Sequence, residues 1–169
     1  CIRDRSALSG STIKDNGIHS FQDLSGYVPN LEIAENAVNT IITMRGIGIG
    51  SNQSFEQSVG IYVDGVHFGK SRQVRSGLFD VEQVEVLRGP QGILFGKNTL
   101  AGAINVTTAS ANVGDEFSGG IDVSQESYNG QIVDAHIAGS VTDNLALRFA
   151  IRDRTRDGHI KNTMPGAST

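Results

Sequence analysis

The last third of the chain alternates. Phe117, Gly119, Ile121 and Val123 interleave with Ser118, Gly120, Asp122 and Ser124. Val133, Ala135, Ile137, Gly139 and Val141 interleave with Asp134, His136, Ala138 and Ser140. In the third run Leu145, Leu147, Phe149 and Ile151 share one face, and Arg148, Arg152, Arg154 and Arg156 share the other with Ala146 and Ala150. A period of two held over about ten residues, three times in succession, predicts three β-strands. Asn129-Gly130 is the strongest two-residue hairpin signal, and Thr142-Asp143-Asn144 supplies a second reversal, so the strands are predicted to form an antiparallel meander. One face is oily and the other charged. That pattern suits half of a soluble sandwich, or a wall with lipid outside and water inside, and strands of about ten residues fit either. Three strands cannot close a barrel, which needs about eight, so a barrel wall here would be a fragment.

Upstream the texture is different. From Leu31 to about Ala109 the chain is glycine-broken, with β-branched runs at Thr40–Arg45, Val59–Val63, Val84–Leu87 and Ile104–Thr108 bounded by Gly, Asn or Asp. Each is predicted as a short strand. Helix is expected only at Leu78–Val81 and in the Asn98–Gly102 turn, because each interior glycine costs a helix about 1 kcal/mol. Before Leu31, Phe21, Leu24 and Val28 recur at helical spacing ahead of Pro29, predicting a short helix around Ser20–Tyr27.

Composition narrows the function classes. With 14 Lys and Arg against 18 Asp and Glu the formal charge is -4, and no global basic field exists to hold nucleic acid by counterion release. Uninterrupted apolar stretches such as Ile93-Leu94-Phe95 fall far short of the ~20 residues a spanning helix needs, so any membrane crossing is expected to be made by strands. A single cysteine forms neither an intrachain disulfide nor a cysteine zinc site. Cys1 stands where a lipidated bacterial cysteine would stand, but the following Ile2-Arg3-Asp4-Arg5 reads like the middle of a longer chain, and we take it as an arbitrary edge.

Catalytic motifs do not assemble. Gly92-Ile93-Leu94-Phe95-Gly96-Lys97 invites comparison with a phosphate-cradling loop, which needs four residues between its glycines and Ser or Thr after the Lys. Here there are three, and Asn98 follows. In Gly46-Ile47-Gly48-Ile49-Gly50 the third glycine comes too early for a dinucleotide loop, and no helical pattern follows. His19, His67, His136 and His159 are scattered without metal-ligand spacing. Glu82 and Glu85, three apart, would lie on opposite faces of a strand and make a poor acid–base pair. The run from Arg152 to Asp157 is neutralised by its own aspartates and reads as a polar sheet face. An enzyme is not expected, and neither a cofactor nor a metal.

The densest constellation is Asp80-Val81-Glu82-Gln83-Val84-Glu85-Val86-Leu87-Arg88-Gly89-Pro90-Gln91-Gly92, then Leu94-Phe95-Gly96-Lys97-Asn98, then Ala101-Gly102-Ala103-Ile104-Asn105-Val106-Thr107-Thr108. It closely resembles the end of the plug domain of TonB-dependent outer-membrane receptors. The resemblance runs upstream through Asp23-Leu24, Pro29-Asn30-Leu31, Met44-Arg45-Gly46 and Tyr62-Val63-Asp64-Gly65-Val66, in the family's order, and covers about Ala7 to Thr108. Ala101-Gly102-Ala103 departs from the Gly-Gly pair of many members. The resemblance implies an α+β plug, a small mixed sheet with short helices, over residues 1–112, followed over 113–169 by the first antiparallel strands of a transmembrane β-barrel. In such receptors the plug blocks a barrel of about twenty-two strands.

The same resemblance assigns roles. Arg45 and Arg88, with Glu85, are implied as the latch between plug and barrel, where arginine's planar fork suits a desolvated carboxylate. Gly46, Asp64, Gly65, Gly89, Pro90, Gly92, Gly96, Asn98 and Gly102 are structural turn positions; the turn chemistry of Gly89-Pro90-Gln91-Gly92 and Asp64-Gly65 is also legible directly. Ser51, Asn52, Gln53, Phe68, Lys70 and Arg72 fall in polar loops that by resemblance point outward. Lys70 and Arg72 could attract an anionic metal chelate or simply be solvated, and the residues leave this open. The implied function is active transport of a scarce large nutrient, siderophore-like or other, across the Gram-negative outer membrane. The implied partners are the TonB protein, the rest of the barrel, outer-membrane lipid and the transported ligand, with no nucleic acid. A signal-transducing receptor would need an extra N-terminal domain. The rival from another class is a soluble or surface-exposed β-rich carbohydrate-binding or adhesion module, in which Leu145–Ile151 would pack a sandwich core.

Overall fold

The computed structural model describes residues 5–35, 40–48, 57–70, 73 and 77–157. The chain divides into two compact units, Cys1–Ala109 and Ser110–Thr169.

The first unit is built on a mixed five-stranded sheet. Its strands are β1 (Arg5–Ser9), β4 (Val59–Val63), β5 (Val66–His67), β6 (Val81–Arg88) and β7 (Gly102–Thr108), in the order β1-β6-β7-β4-β5. β1 pairs antiparallel with β6, β6 with β7, and β4 with β5, while β4 and β7 run parallel. A separate two-stranded sheet joins β2 (Leu31–Glu35) antiparallel to β3 (Thr40–Met44). Alternation explains the packing: Ile42 and Met44 of β3 and Val84 and Val86 of β6 are fully buried, one residue in two.

Helix is scarce and local. α1 (Gly10–Asp15) is capped by Ser9, whose hydroxyl accepts the Thr12 N–H at 3.2 Å. A 3-10 helix, Gln22–Gly26, stands where Ser20–Tyr27 was expected, and Phe21, Leu24 and Val28 are buried in the core as their spacing requires. It starts at a reciprocal cap. The Asp23 carboxylate accepts the N–H groups of His19 (3.0 Å) and Ser20 (2.8 Å), and Ser20 Oγ accepts the Asp23 N–H (3.3 Å). α2 (Gly92–Phe95) is a single turn after Pro90.

Both other helical expectations are corrected. Leu78 donates its N–H to His19 O (3.0 Å), and Asp80, at φ 49°, turns directly into β6. Asn98, at φ 66°, likewise turns the chain towards β7, so the only helix in this stretch is the four-residue α2, which ends immediately before Gly96.

The second unit is an antiparallel sheet of β8 (Ser118–Glu126), β9 (Gly130–Thr142) and β10 (Leu145–Thr155), in the order β10-β9-β8. The first reversal falls one residue earlier than the Asn-Gly pair suggested. Tyr128 and Asn129 carry φ of 63° and 54°, while Gly130 already pairs with Glu126 in the ladder. Asn129 tolerates the left-handed region locally. Asp143 and Asn144 make the second reversal, and a bulge between Leu145 and Ala146 follows it.

Candidate functional site

β6 ends on Arg88, and its alternation decides what that residue meets. Arg88 follows Val84 and Val86 on the inward face, so its guanidinium is drawn in over the core edge. Nη2 donates to Ser6 Oγ at 2.9 Å and Nη1 to Pro29 O at 3.2 Å, while the buried Nε has no partner among the described residues. Arg45, at φ 52° just past β3, donates its backbone N–H to Asn30 O at 2.9 Å. Its Nη1 stands 3.8 Å from where a Cβ on Gly89 would sit, so the structure brings both arginines to one corner.

Glu85 is elsewhere. It lies on the opposite face of β6, where its carboxylate accepts from Arg5, from Gln83 Nε2 (3.2 Å) and from Asn105 Nδ2 (3.4 Å). Asn105 is its ladder partner on β7. Glu85 thus holds three strands together and does not touch the arginine corner.

Most of the turn residues occupy left-handed or crowded positions. Asp64 (φ 48°) and Gly65 (φ 79°) form the two-residue loop between Val63 and Val66, a left-handed pair that matches strand twist. The Asp64 carboxylate then accepts the Thr108 N–H (2.9 Å) and Oγ1–H (2.7 Å), clasping the β4–β5 turn to the end of β7. Gly46, Gly89, Gly96 and Asn98 all have positive φ. Pro90 and Gly92 lead into α2, and Gly102 opens β7 in van der Waals conflict with any larger residue.

The candidate loops separate as well. Ser51, Asn52, Gln53 and Arg72 lie outside the described residues. Phe68 is half-buried against the core and lines a mostly apolar cavity of about 100 Å³ with Phe21, Ile61, Leu78 and Val106. Lys70 is exposed, its N–H donating to Gln73 Oε1 at 3.1 Å.

Among the features of this unit that sequence reasoning missed is a clamp at Tyr62. Its hydroxyl donates to Phe95 O at 2.5 Å and its ring lies 4.7 Å from the Phe95 ring. Burial pushes the phenol's pKa above its ordinary value of 10.0, which keeps it a donor. The β-branched run at Val59–Val63 shows a strand but not what its aromatic reaches, 33 residues further on.

In the second unit the two faces are chemically distinct. Leu147 is 57% exposed, Phe149 65% and Ile151 56%, and the register lines them up with Gly139, Ile137 and Ala135. Ile121 and Val123 continue that face, 74% and 60% exposed. The other face is held by ion pairs across strands. Arg152 grips its direct partner Asp134 with both nitrogens, Nε to Oδ1 at 2.6 Å and Nη2 to Oδ2 at 2.7 Å. Arg154 reaches Glu126 on β8 with two bonds of 3.0 Å. A sandwich module would seal Leu147 and Phe149 in a dry interior, whereas here both are exposed.

Residues 3–103 match the family model described as the TonB-dependent receptor plug domain. The pesticin receptor of Yersinia enterocolitica is 32% identical over 145 residues, which is 80% of this chain and 21% of that protein. The crystal structure of the ferric yersiniabactin uptake receptor FyuA from Yersinia pestis superposes with TM-score 0.73 at 31% identity, over 82% of this chain and 22% of that one. The ferric-catecholate import receptor Fiu from E. coli K12, in its open form, gives TM-score 0.71 at 25% identity, over 91% and 21%. The chain spans about a fifth of the length of the curated relatives it matches.

Proposed function

Because the chain belongs to the TonB-dependent receptor family, with residues 3–103 matching its plug domain, we propose that it is the gate and first wall segment of an active transporter for ferric siderophores or a comparably scarce, large nutrient. The complete protein sits in a Gram-negative outer membrane. Its barrel of about twenty-two strands carries the plug in its lumen.

One observation carries this reading. Directly after the plug, the chain forms strands of 9, 13 and 11 residues with one apolar face left open and the other laced by arginine–carboxylate pairs. Such strands are long enough to cross a hydrocarbon core at the tilt barrels adopt, with apolar side chains towards lipid and ion pairs towards a wet lumen. The names of the relatives support the substrate class: one imports ferric yersiniabactin, another ferric catecholates.

The cycle then runs in four steps. Substrate docks on outward loops, where the exposed Lys70 favours an anionic chelate. The plug shifts and presents a segment near its N-terminus to the periplasm. TonB adds a strand to that segment by β-augmentation and transmits energy from the inner-membrane proton gradient. Release of the latch opens a path. In this scheme Arg45 and Arg88 are the latch: Arg88 keeps one buried donor, Nε, unmet among the described residues, and a barrel carboxylate would complete its fork. Glu85, bonded to Arg5 and Asn105, supports β6 from behind.

The test is uptake of radioiron by a deletion strain complemented with the complete receptor, offering ferric yersiniabactin and a ferric catecholate under iron depletion. Deletion is expected to abolish uptake of at least one chelate. Arg88→Ala is expected to reduce uptake while leaving chelate binding at the cell surface largely intact. Unchanged uptake of every chelate on deletion overturns the function, and equal loss of binding and uptake in Arg88→Ala overturns the latch.

A further inference from the structure

The excursion between β6 and β7 presents a feature that neither the latch nor the sheets use. Ile93 is 102% exposed, Leu94 78% and Leu100 74%, three large apolar side chains held clear of the fold within eight residues of sequence. Solvated loops are ordinarily polar, and clustered exposed apolar groups mark a contact surface.

The projection is also held firmly. Gly89 N donates to Ala101 O (2.9 Å) and Gln91 N to Thr99 O (3.0 Å), closing the base of the excursion like a short ladder. Thr99 is 2% exposed, and its Oγ1 donates to Gly96 O at 2.8 Å. The Tyr62 hydroxyl and ring fasten Phe95 from the sheet. A tip anchored at both ends and in the middle keeps its apolar groups at one fixed place.

We propose that Ile93, Leu94 and Leu100 form a docking knob that seats in an apolar recess on the inner wall of this protein's own barrel, fixing the plug's orientation in the lumen. The inference rests on the plug-in-barrel reading and names a contact within it. The occupant follows from chain length: about four fifths of each matched relative lies outside the region this chain covers, and that remainder is the material surrounding a plug. TonB is a poor occupant, because strand addition needs an open strand edge and α2 is a helical turn. An anionic chelate is a poor one because Ile93, Leu94 and Leu100 offer it hydrocarbon, and the one exposed cation among them, Lys97, already has a partner. A barrel lumen is mostly polar, so a single apolar recess would give the plug one seat and not many.

The experiment uses the complete receptor in detergent with Cys1→Ser and Leu94→Cys. Maleimide labelling at position 94 is compared in the native receptor and in urea, and trypsin cleavage of the plug is followed in parallel. The expected result is labelling roughly tenfold or more slower in the native receptor than in urea, with no change on adding a TonB periplasmic fragment. Leu94→Asp is expected to speed tryptic cleavage of the plug severalfold. A plug that resists trypsin while position 94 labels at the urea rate overturns the knob and leaves the plug-in-barrel reading standing. A plug cleaved as fast in the native receptor as in urea overturns both. Protection that appears only with the TonB fragment, or only with a ferric chelate, overturns wall docking and assigns the knob to that partner.

Discussion

Replacing Gly102 with alanine adds one methyl where two strands and a methionine already meet. Gly102 pairs with Arg88 on one side and Val59 on the other, so β7 cannot move sideways without breaking a ladder. An added Cβ would lie 2.3 Å from Leu87 O and 2.3 Å from Met44 Sδ. The two conflicts differ in kind. Met44 is fully buried but ends in a flexible thioether, whereas Leu87 O belongs to the backbone of the β6 ladder. Overpacking of this type costs about 1–3 kcal/mol when side chains absorb it, and the backbone conflict places Gly102→Ala at about 3 kcal/mol or more. Met44→Ala alone should cost about 2–5 kcal/mol as a core truncation. The double variant relieves the sulfur conflict only, so it should be less destabilised than the sum while staying clearly below Met44→Ala. Hydrogen exchange of β6 and β7 peptides in the solubilised receptor reads this directly. A loss of about 3 kcal/mol speeds exchange through opening by roughly a hundredfold. Wild-type protection in Gly102→Ala would refute the close-approach argument. A double variant matching Met44→Ala would show that the backbone oxygen plays no part.

Three further outcomes follow from the same geometry. Asp64→Ala loses both bonds to Thr108 and places a residue with no local polar compensation at φ 48°, for about 2 kcal/mol, whereas Asp64→Asn keeps an acceptor and left-handed tolerance and should cost less than half of that; exchange at the Thr108 amide ranks the pair, and equal values would refute the clasp. Tyr62→Phe removes the bond to Phe95 O and should cost about 1 kcal/mol, seen as faster exchange in residues 92–96. Since the phenol is raised in the folded state, its contribution is complete below pH 10.0 and is lost as pH rises from there through the folded value, so protection of α2 that declines between pH 7 and 9 would contradict the clamp. Phe149→Arg and Ala150→Arg put the same charge on opposite faces of β10. The first is expected to impair barrel assembly, at about 2–4 kcal/mol for a midplane site, and the second to be tolerated, as read by heat-modifiable gel migration of the receptor.

What was legible depended on how far a residue's partner lies along the chain. β8, β9 and β10 could be read almost whole because each strand's neighbours are the next strands and alternation states both faces. Val59–Val63 was legible for a related reason: a β-branched run closed by Asp-Gly carries its own turn. β1 was not. Arg5–Ser9 is five residues of mixed polarity, and only the edge of β6, some 80 residues away, makes it a strand. α1 begins with glycine and spans fewer than two turns, so its stability comes from the Ser9 cap and the burial of Ile13, neither of which shows as periodicity.

The arginine corner shows where motif reading stops and geometry takes over. The resemblance grouped Glu85 with Arg45 and Arg88 because they stand near one another in familiar strings. A strand puts residues 85 and 88 on opposite faces by parity alone, and here that parity sends Glu85 to Arg5 and Asn105 and turns Arg88 inward to Ser6 and Pro29. The consequence is a division of labour along one strand. Glu85 ties β1, β6 and β7 to one another, and Arg88, at the end of β6, donates to Ser6 Oγ and Pro29 O, with its buried Nε unpartnered among the described residues. Under the proposed latch role, the bond that release would break lies at the end of β6 and outside the ladder that Glu85 supports, so the sheet would survive the break.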